Sequence, residues 1–151
     1  MFISKKDLGT TMYGYQIDQI VDGRTDIIDI ALQAAEEELR SYLTGNNKKV
    51  WLDGRIRYDV DAILSATGKK RNALLVKHCA TIARWWIVDL ANADIIYEQA
   101  KERYDRTIDW LVKLAKGDVT MSKLPVLSND DETAEKNGFI WGSNKKFNHD
   151  Y

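Results

Sequence analysis

The sequence predicts an all-α protein: a small bundle of about four helices, with a long connection over residues 46–71 and an extended C-terminal arm. Three observations predict it. Apolar residues recur with a 3.6-residue period over residues 26–43, 72–91 and 97–116. Pro125 is the only proline, so helix is permitted almost everywhere else. Gly45, Gly68 and Gly117 stand just past the runs they follow, where helices commonly stop.

In chain order, residues 4–21 read as a short helix or two broken turns, because Gly9 and Gly14 interrupt them. Ser4 followed by Asp7 is a short-armed relative of the capping box. Phe2, Ile3, Leu8, Met12, Ile17, Ile20 and Val21 supply the apolar contacts, and Asp22-Gly23 marks a turn.

The next helix spans residues 26–43, with Thr25 or Asp26 as cap and Ile28, Leu32, Ala35, Leu39 and Tyr42 on one face. Glu36 and Arg40 are expected to pair on its outer side, and Gly45 to end it. Residues 46–71 lose the period: a polar loop, the apolar anchor Val50-Trp51-Leu52, then a short helix near residues 59–66 stopped by Gly68. A connection this long in a small helical domain is usually functional or mobile.

The third long stretch, residues 72–91, places Leu75, Cys79, Ile82, Trp86 and Leu90 on one stripe, widened by Leu74, Ala83 and Ile87. After the Asn92-Ala93-Asp94 turn, residues 97–116 place Ala100, Tyr104, Ile108, Leu111 and Ala115 on one face, and Gly117 ends the helix. Residues 1–117 thus form a helical domain and residues 118–151 an extended arm. The arm begins extended around Pro125, turns polar and acidic, and carries the aromatic patch Phe139-Ile140-Trp141. That patch cannot bury itself locally, and docking on another subunit is the favoured expectation.

Catalytic chemistry is not expected. Cys79 lies on the apolar stripe, and adjacent His78 points about 100° away from it. His149 is too remote to complete a metal site with either residue, and Asn129-Asp130-Asp131-Glu132 lacks the alternation of a calcium loop. No glycine-rich phosphate loop is present, so no cofactor or metal is expected. Asp105 and Asp109 with Arg103 and Arg106 read as a surface ion network.

The formal net charge of −1, from 22 basic and 23 acidic residues, argues against nucleic-acid binding as the main role. Lys48-Lys49, Lys69-Lys70-Arg71 and Lys145-Lys146 read as solvated loop charges. One cysteine excludes an internal disulfide, and neither a leader-like segment nor a membrane-length apolar run is found, so a soluble protein is expected.

Consecutive Trp85 and Trp86 cannot face the same core. Trp86 fits the main stripe. Trp85, and Trp110 beside the stripe of the following helix, serve either a second packing surface or a subunit interface, where tryptophan is enriched. Trp51, Arg57 and Tyr58 in the long connection, and Phe139, Ile140 and Trp141 in the arm, complete the candidate interface set.

A family resemblance rests on several motifs. They are Ala34-Ala35-Glu36-Glu37-Glu38-Leu39-Arg40-Ser41-Tyr42-Leu43, Arg57-Tyr58-Asp59-Val60-Asp61-Ala62-Ile63 with Thr67-Gly68 and Arg71-Asn72, Ile82-Ala83, and Arg103-Tyr104-Asp105-Arg106-Thr107-Ile108-Asp109-Trp110-Leu111 with Ala115-Lys116-Gly117. With these the chain resembles the head–tail adaptor, or head-completion, proteins of tailed phages and prophages related to phage Mu. Where many relatives carry a proline-containing connection, this chain has Asn92-Ala93-Asp94. The resemblance implies a helical virion protein that forms a ring between portal and tail components, without enzymatic activity or cofactor. The competing reading from the residues alone is a stand-alone helical interaction or regulatory module.

Overall fold

The computed structural model describes residues 1–49, 51 and 54–127, except for the side chain of Ile95. Its helices are α1 (Gly14–Val21), α2 (Asp26–Asn47), α3 (Val60–Ser65), α4 (Ala73–Leu90) and α5 (Tyr97–Lys116). Short 3-10 turns at Lys5–Thr10, Gly68–Lys70 and Asp94–Ile96 join or precede them. The all-α expectation holds. The only β pairing among the described residues is an isolated antiparallel bridge between Tyr58 and Val126.

The three long helices α2, α4 and α5 pack on one another, with the Lys5–Thr10 turn and α1 laid against α4. Their shared core holds Leu39 and Leu43 of α2, Leu75, Cys79, Ile82 and Ile87 of α4, and Leu111 and Leu114 of α5. Phe2, Ile3, Leu8 and Ile17 close one side of it. Each such buried aliphatic or aromatic side chain contributes about 1.5–3 kcal/mol relative to exposure.

The N-terminal region is two pieces, as its glycines predict, and the Ser4–Asp7 cap forms, with Ser4 N–H donating to Asp7 Oδ2 at 2.8 Å. Asp22 and Gly23 both have positive φ, making the predicted turn. Helix α4 begins where Asn72 accepts from the Leu74 and Leu75 amides, at 3.0 and 3.2 Å. Helix α5 ends at Gly117, whose φ of 85° suits glycine.

Five expectations are corrected. Helix α2 does not end at Gly45 but continues to Asn47. Buried Asn46 donates to Ile56 O at 2.9 Å, while the Asn47 amide donates to Tyr58 O at 2.7 Å and accepts from Tyr58 N–H at 2.8 Å. These bonds reward the extra turn, and a Cβ added at Gly45 would sit in ordinary contact with Ala115 Cβ of α5, at 4.0 Å. Glu36 does not pair with Arg40. It accepts from Phe2 N–H at 2.6 Å, and Arg40 reaches Asp61 on α3 at 2.7 Å.

Arg71 is not a solvated loop charge: it forks onto Asp7, at 2.8 and 2.9 Å, and donates to Phe2 O at 2.9 Å. The helix stripes are also shifted. Leu74 is exposed, and in α5 Thr107 and Leu114 are buried where Ile108 and Ala115 are only half-buried. Thr25 occupies the cap position of α2 without a side-chain bond; the carbonyls of Arg24 and Thr25 take the first amides instead.

Residues 118–127 pack back onto the body. Asp59 N–H donates to Pro125 O and Leu127 N–H to Arg57 O, both at 3.0 Å, while Met121 N–H donates to Tyr58 Oη at 2.8 Å. Leu124 is buried. The remainder of the arm, residues 128–151, lies outside the described residues.

Candidate interaction surfaces

The candidate interface residues fall into separate environments. Tyr58 belongs to the chain's own core, 1% exposed, because both its backbone groups and its hydroxyl are claimed by Asn47 and Met121. Arg57 beside it is half-buried, and its Nε has no hydrogen-bond partner. Trp51 is 78% exposed, an unusual position for a tryptophan in a chain with a well-filled core. Phe139, Ile140 and Trp141 lie outside the described residues, as do Val50 and Leu52.

Trp85 is half-buried between Tyr97 and Tyr104, with ring centroids at 5.1 and 5.3 Å. These offset aromatic contacts join the end of α4 to the start of α5. Trp110 stacks on His78 at 4.6 Å and 20°. Both tryptophans therefore have partners within the chain and keep one edge toward solvent. Tyr13 and Tyr15, both exposed, stack on each other at 5.7 Å.

Cys79 is fully buried, and burial pushes its thiol far above the ordinary range, with the carboxylates of Glu36, Glu38 and Asp7 adding to the effect. An inert core thiol is the result. His78 faces away from it: Nδ1 lies 3.4 Å from Thr107 Oγ1 and Nε2 has no partner. Burial, helped by neighbouring Lys77, lowers His78 to about 4. Among the described residues no group of three or more His, Cys, Asp or Glu side chains is placed to hold a metal ion. No described helix is long and apolar enough to cross a membrane.

Two adjoining clefts lie where the end of the Lys5–Thr10 turn crosses α4 and α5. Their volumes are about 380 and 310 Å³, and they share Thr10, Thr11 and Arg103. Lys77, Arg84, Arg103 and Arg106 line them, and no Asp or Glu does. Arg84 is only 4% exposed. Its guanidinium donates to Thr11 O and to Gln99 Oε1, both at 3.0 Å, and its Nε finds no acceptor.

A buried guanidinium is normally matched by an anion, because neutral acceptors only partly offset its lost hydration. Here burial, and repulsion from Arg103, act against its charged form. The expected network of Arg103 and Arg106 with Asp105 and Asp109 does not form. Asp105 pairs with Lys101 at 3.2 Å and Arg106 with Glu102, leaving Arg103 over the cleft. The sequence signal for this groove was a polar stripe, Lys77, Thr81 and Arg84, at helical spacing along an otherwise apolar helix, answered by Gln99, Arg103 and Arg106 on the next.

Comparison with known proteins places this architecture. The family model described as "Bacteriophage Mu, Gp36" matches residues 2–141. The Mu-like prophage FluMu protein gp36 of Haemophilus influenzae is 35% identical over 80 residues, which is 48% of this chain and 51% of that protein. The chain thus spans about half the length of that curated relative in the match. No solved structure matches. With the family model matching nearly the whole chain, this protein belongs to the bacteriophage Mu Gp36 family.

Proposed function

We propose that this chain is a structural virion protein of a Mu-related phage or prophage: a head–tail adaptor, or connector, that forms a ring between the portal and tail components. Its partners in this reading are further copies of itself, assembling in solution or only on the portal, together with portal and tail-completion proteins. It works at the head–tail junction of the virion, after assembly in the host cytoplasm. It catalyses nothing, holds no cofactor, and binds neither membrane nor specific nucleic acid.

The observation that carries the reading is family membership across nearly the whole chain. The architecture supports it. A ring requires a heterologous interface, in which one surface of a subunit meets a different surface of the next. This chain offers two unlike surfaces. One is the cationic groove near the N-terminal half of α5; the other surrounds exposed Trp51, in the connection that Asn47 and Arg55 tie down near the α5 C-terminus. Gln99 and Ala115 are 16 residues apart on that helix, roughly 24 Å, so the two surfaces are well separated.

The test is genetic and visual. Deleting the gene from a producing lysogen should yield DNA-filled heads and free tails that do not join, restored by the gene supplied in trans. Normal joined virions from the deletion strain would overturn the proposal.

A further inference from the structure

The groove lined by Lys77, Arg84, Arg103 and Arg106 has an unmet requirement. Arg84 is buried with no carboxylate within ion-pair distance among the described residues, and its Nε is unpartnered. The side-chain cations of Lys77 and Arg103 make no hydrogen bond or ion pair with any described residue. Three uncompensated cations around one concave surface repel one another in the empty state. A carboxylate-bearing segment laid along the groove relieves that repulsion and supplies acceptors for guanidinium donors.

The chain itself contains such a segment. Asn129-Asp130-Asp131-Glu132, followed by Glu135, is its densest acidic run, and it lies just beyond the last described residue. We infer that the groove is the receptor for this acidic run, supplied by a neighbouring copy of the chain.

The described chain leaves the body at Leu127, which Arg57 holds, so the acidic run follows directly from an anchored point. Passed to a second copy, the run makes a head-to-tail contact, and a contact of that kind propagates around a ring. A run closing on the groove of its own chain is the competing outcome, and the cross-linking below distinguishes the two.

This inference rests on the self-assembly part of the adaptor reading, and its test separates the two. A fluorescein-labelled peptide of residues 128–138 is titrated against the full chain carrying Asp130→Asn, Asp131→Asn and Glu132→Gln, so that no endogenous run competes. Saturable binding is expected, weakening as salt is raised. Arg103→Glu, at an exposed position that spares the core, should weaken it at least tenfold, and a peptide with lysine at positions 130–132 should recover binding to that variant. Binding that ignores Arg103→Glu, or no binding, overturns the inference, as does a DNA duplex occupying the Arg103-dependent site where the peptide does not.

Disulfide trapping then reads the direction of exchange. Full chains carrying Thr10→Cys alone, mixed with chains carrying Asp131→Cys alone, should give a cross-linked heterodimer. A doubly substituted chain that closes only on itself contradicts exchange between copies. Should rings form on the portal while these assays fail, the groove assignment falls and the adaptor reading stands.

Discussion

Tyr104 donates its hydroxyl to Glu38 Oε1 at 2.7 Å, and Trp86 Nε1–H donates to the other oxygen of the same carboxylate at 3.0 Å. Glu38 is on α2, Trp86 on α4 and Tyr104 on α5, so one carboxylate ties the three long helices together. Glu38→Ala leaves two half-buried donors without an acceptor. The expected cost is about 1–3 kcal/mol in denaturant unfolding, with Glu38→Gln recovering part of it. Unchanged stability in the alanine variant would show that water replaces the carboxylate without penalty.

Burial, with the Glu38 hydrogen bond second, pushes Tyr104 well above the usual phenol range. Its neutral form is the one the fold holds, so its contribution is present below the unfolded value of about 10 and lost as pH rises above it. Burial raises Tyr42 as well, so ultraviolet titration should show a late tyrosine fraction that ionises as the protein unfolds in alkali, smaller by one tyrosine in Tyr104→Phe.

The Asp7–Arg71 fork predicts an acid-side loss. Hydrogen bonds from Arg71, then from Ser4, hold Asp7 at about 2 against burial, below its ordinary 3.8. A depressed carboxylate stabilises the fold above the unfolded value, and that contribution drains away as pH falls from about 4 toward 2. Its size is on the order of 1–2 kcal/mol. Asp7→Asn should flatten this part of the stability curve.

His78 adds a second slope at higher pH. Burial and Lys77 hold it at about 4, below the ordinary 6.5, and Arg103 and Arg106 line the same cleft. The folded state therefore favours neutral imidazole: full stability above pH 6.5, progressive loss from there to about 4. His78→Phe preserves a ring to stack on Trp110 and should remove that slope. A variant that keeps the slope assigns it elsewhere.

Gly117 should be intolerant of substitution. Its φ is 85°, and a Cβ there would come within 2.8 Å of Arg55 Cζ. Arg55 closes the end of α5 by donating to Ala115 O at 2.7 Å and to Lys116 O at 2.5 Å, where a cation also suits the helix dipole. Gly117→Ala is expected to cost about 1–3 kcal/mol in thermal or denaturant unfolding, from backbone strain and from displacing Arg55.

How far the fold was legible depended on whether its cause was local. The bounds of α4 and α5 follow from Asn72 and Gly117, residues whose side-chain acceptor or positive φ acts within a few positions of itself. The extra turn of α2 depends on Asn46 and Asn47 meeting residues 56–58, which no local pattern announces. Arg71 looked like the end of a basic loop because its partner, Asp7, is 64 positions away. The groove was only partly legible for the same reason: the polar stripe of Lys77, Thr81 and Arg84 marks a face, but Arg84 reads as an ordinary polar residue until Thr11, Gln99 and Arg103 are brought around it.

As a head–tail adaptor, this chain builds a ring on a portal in the proposed function. Mass measurement and negative-stain imaging of the chain, alone and mixed with the portal protein of the same phage, test that most directly. Closed rings of fixed mass are expected, with or without the portal, and rings seated on the portal when both are present. A chain that stays monomeric and ignores both portal and tail proteins would contradict it.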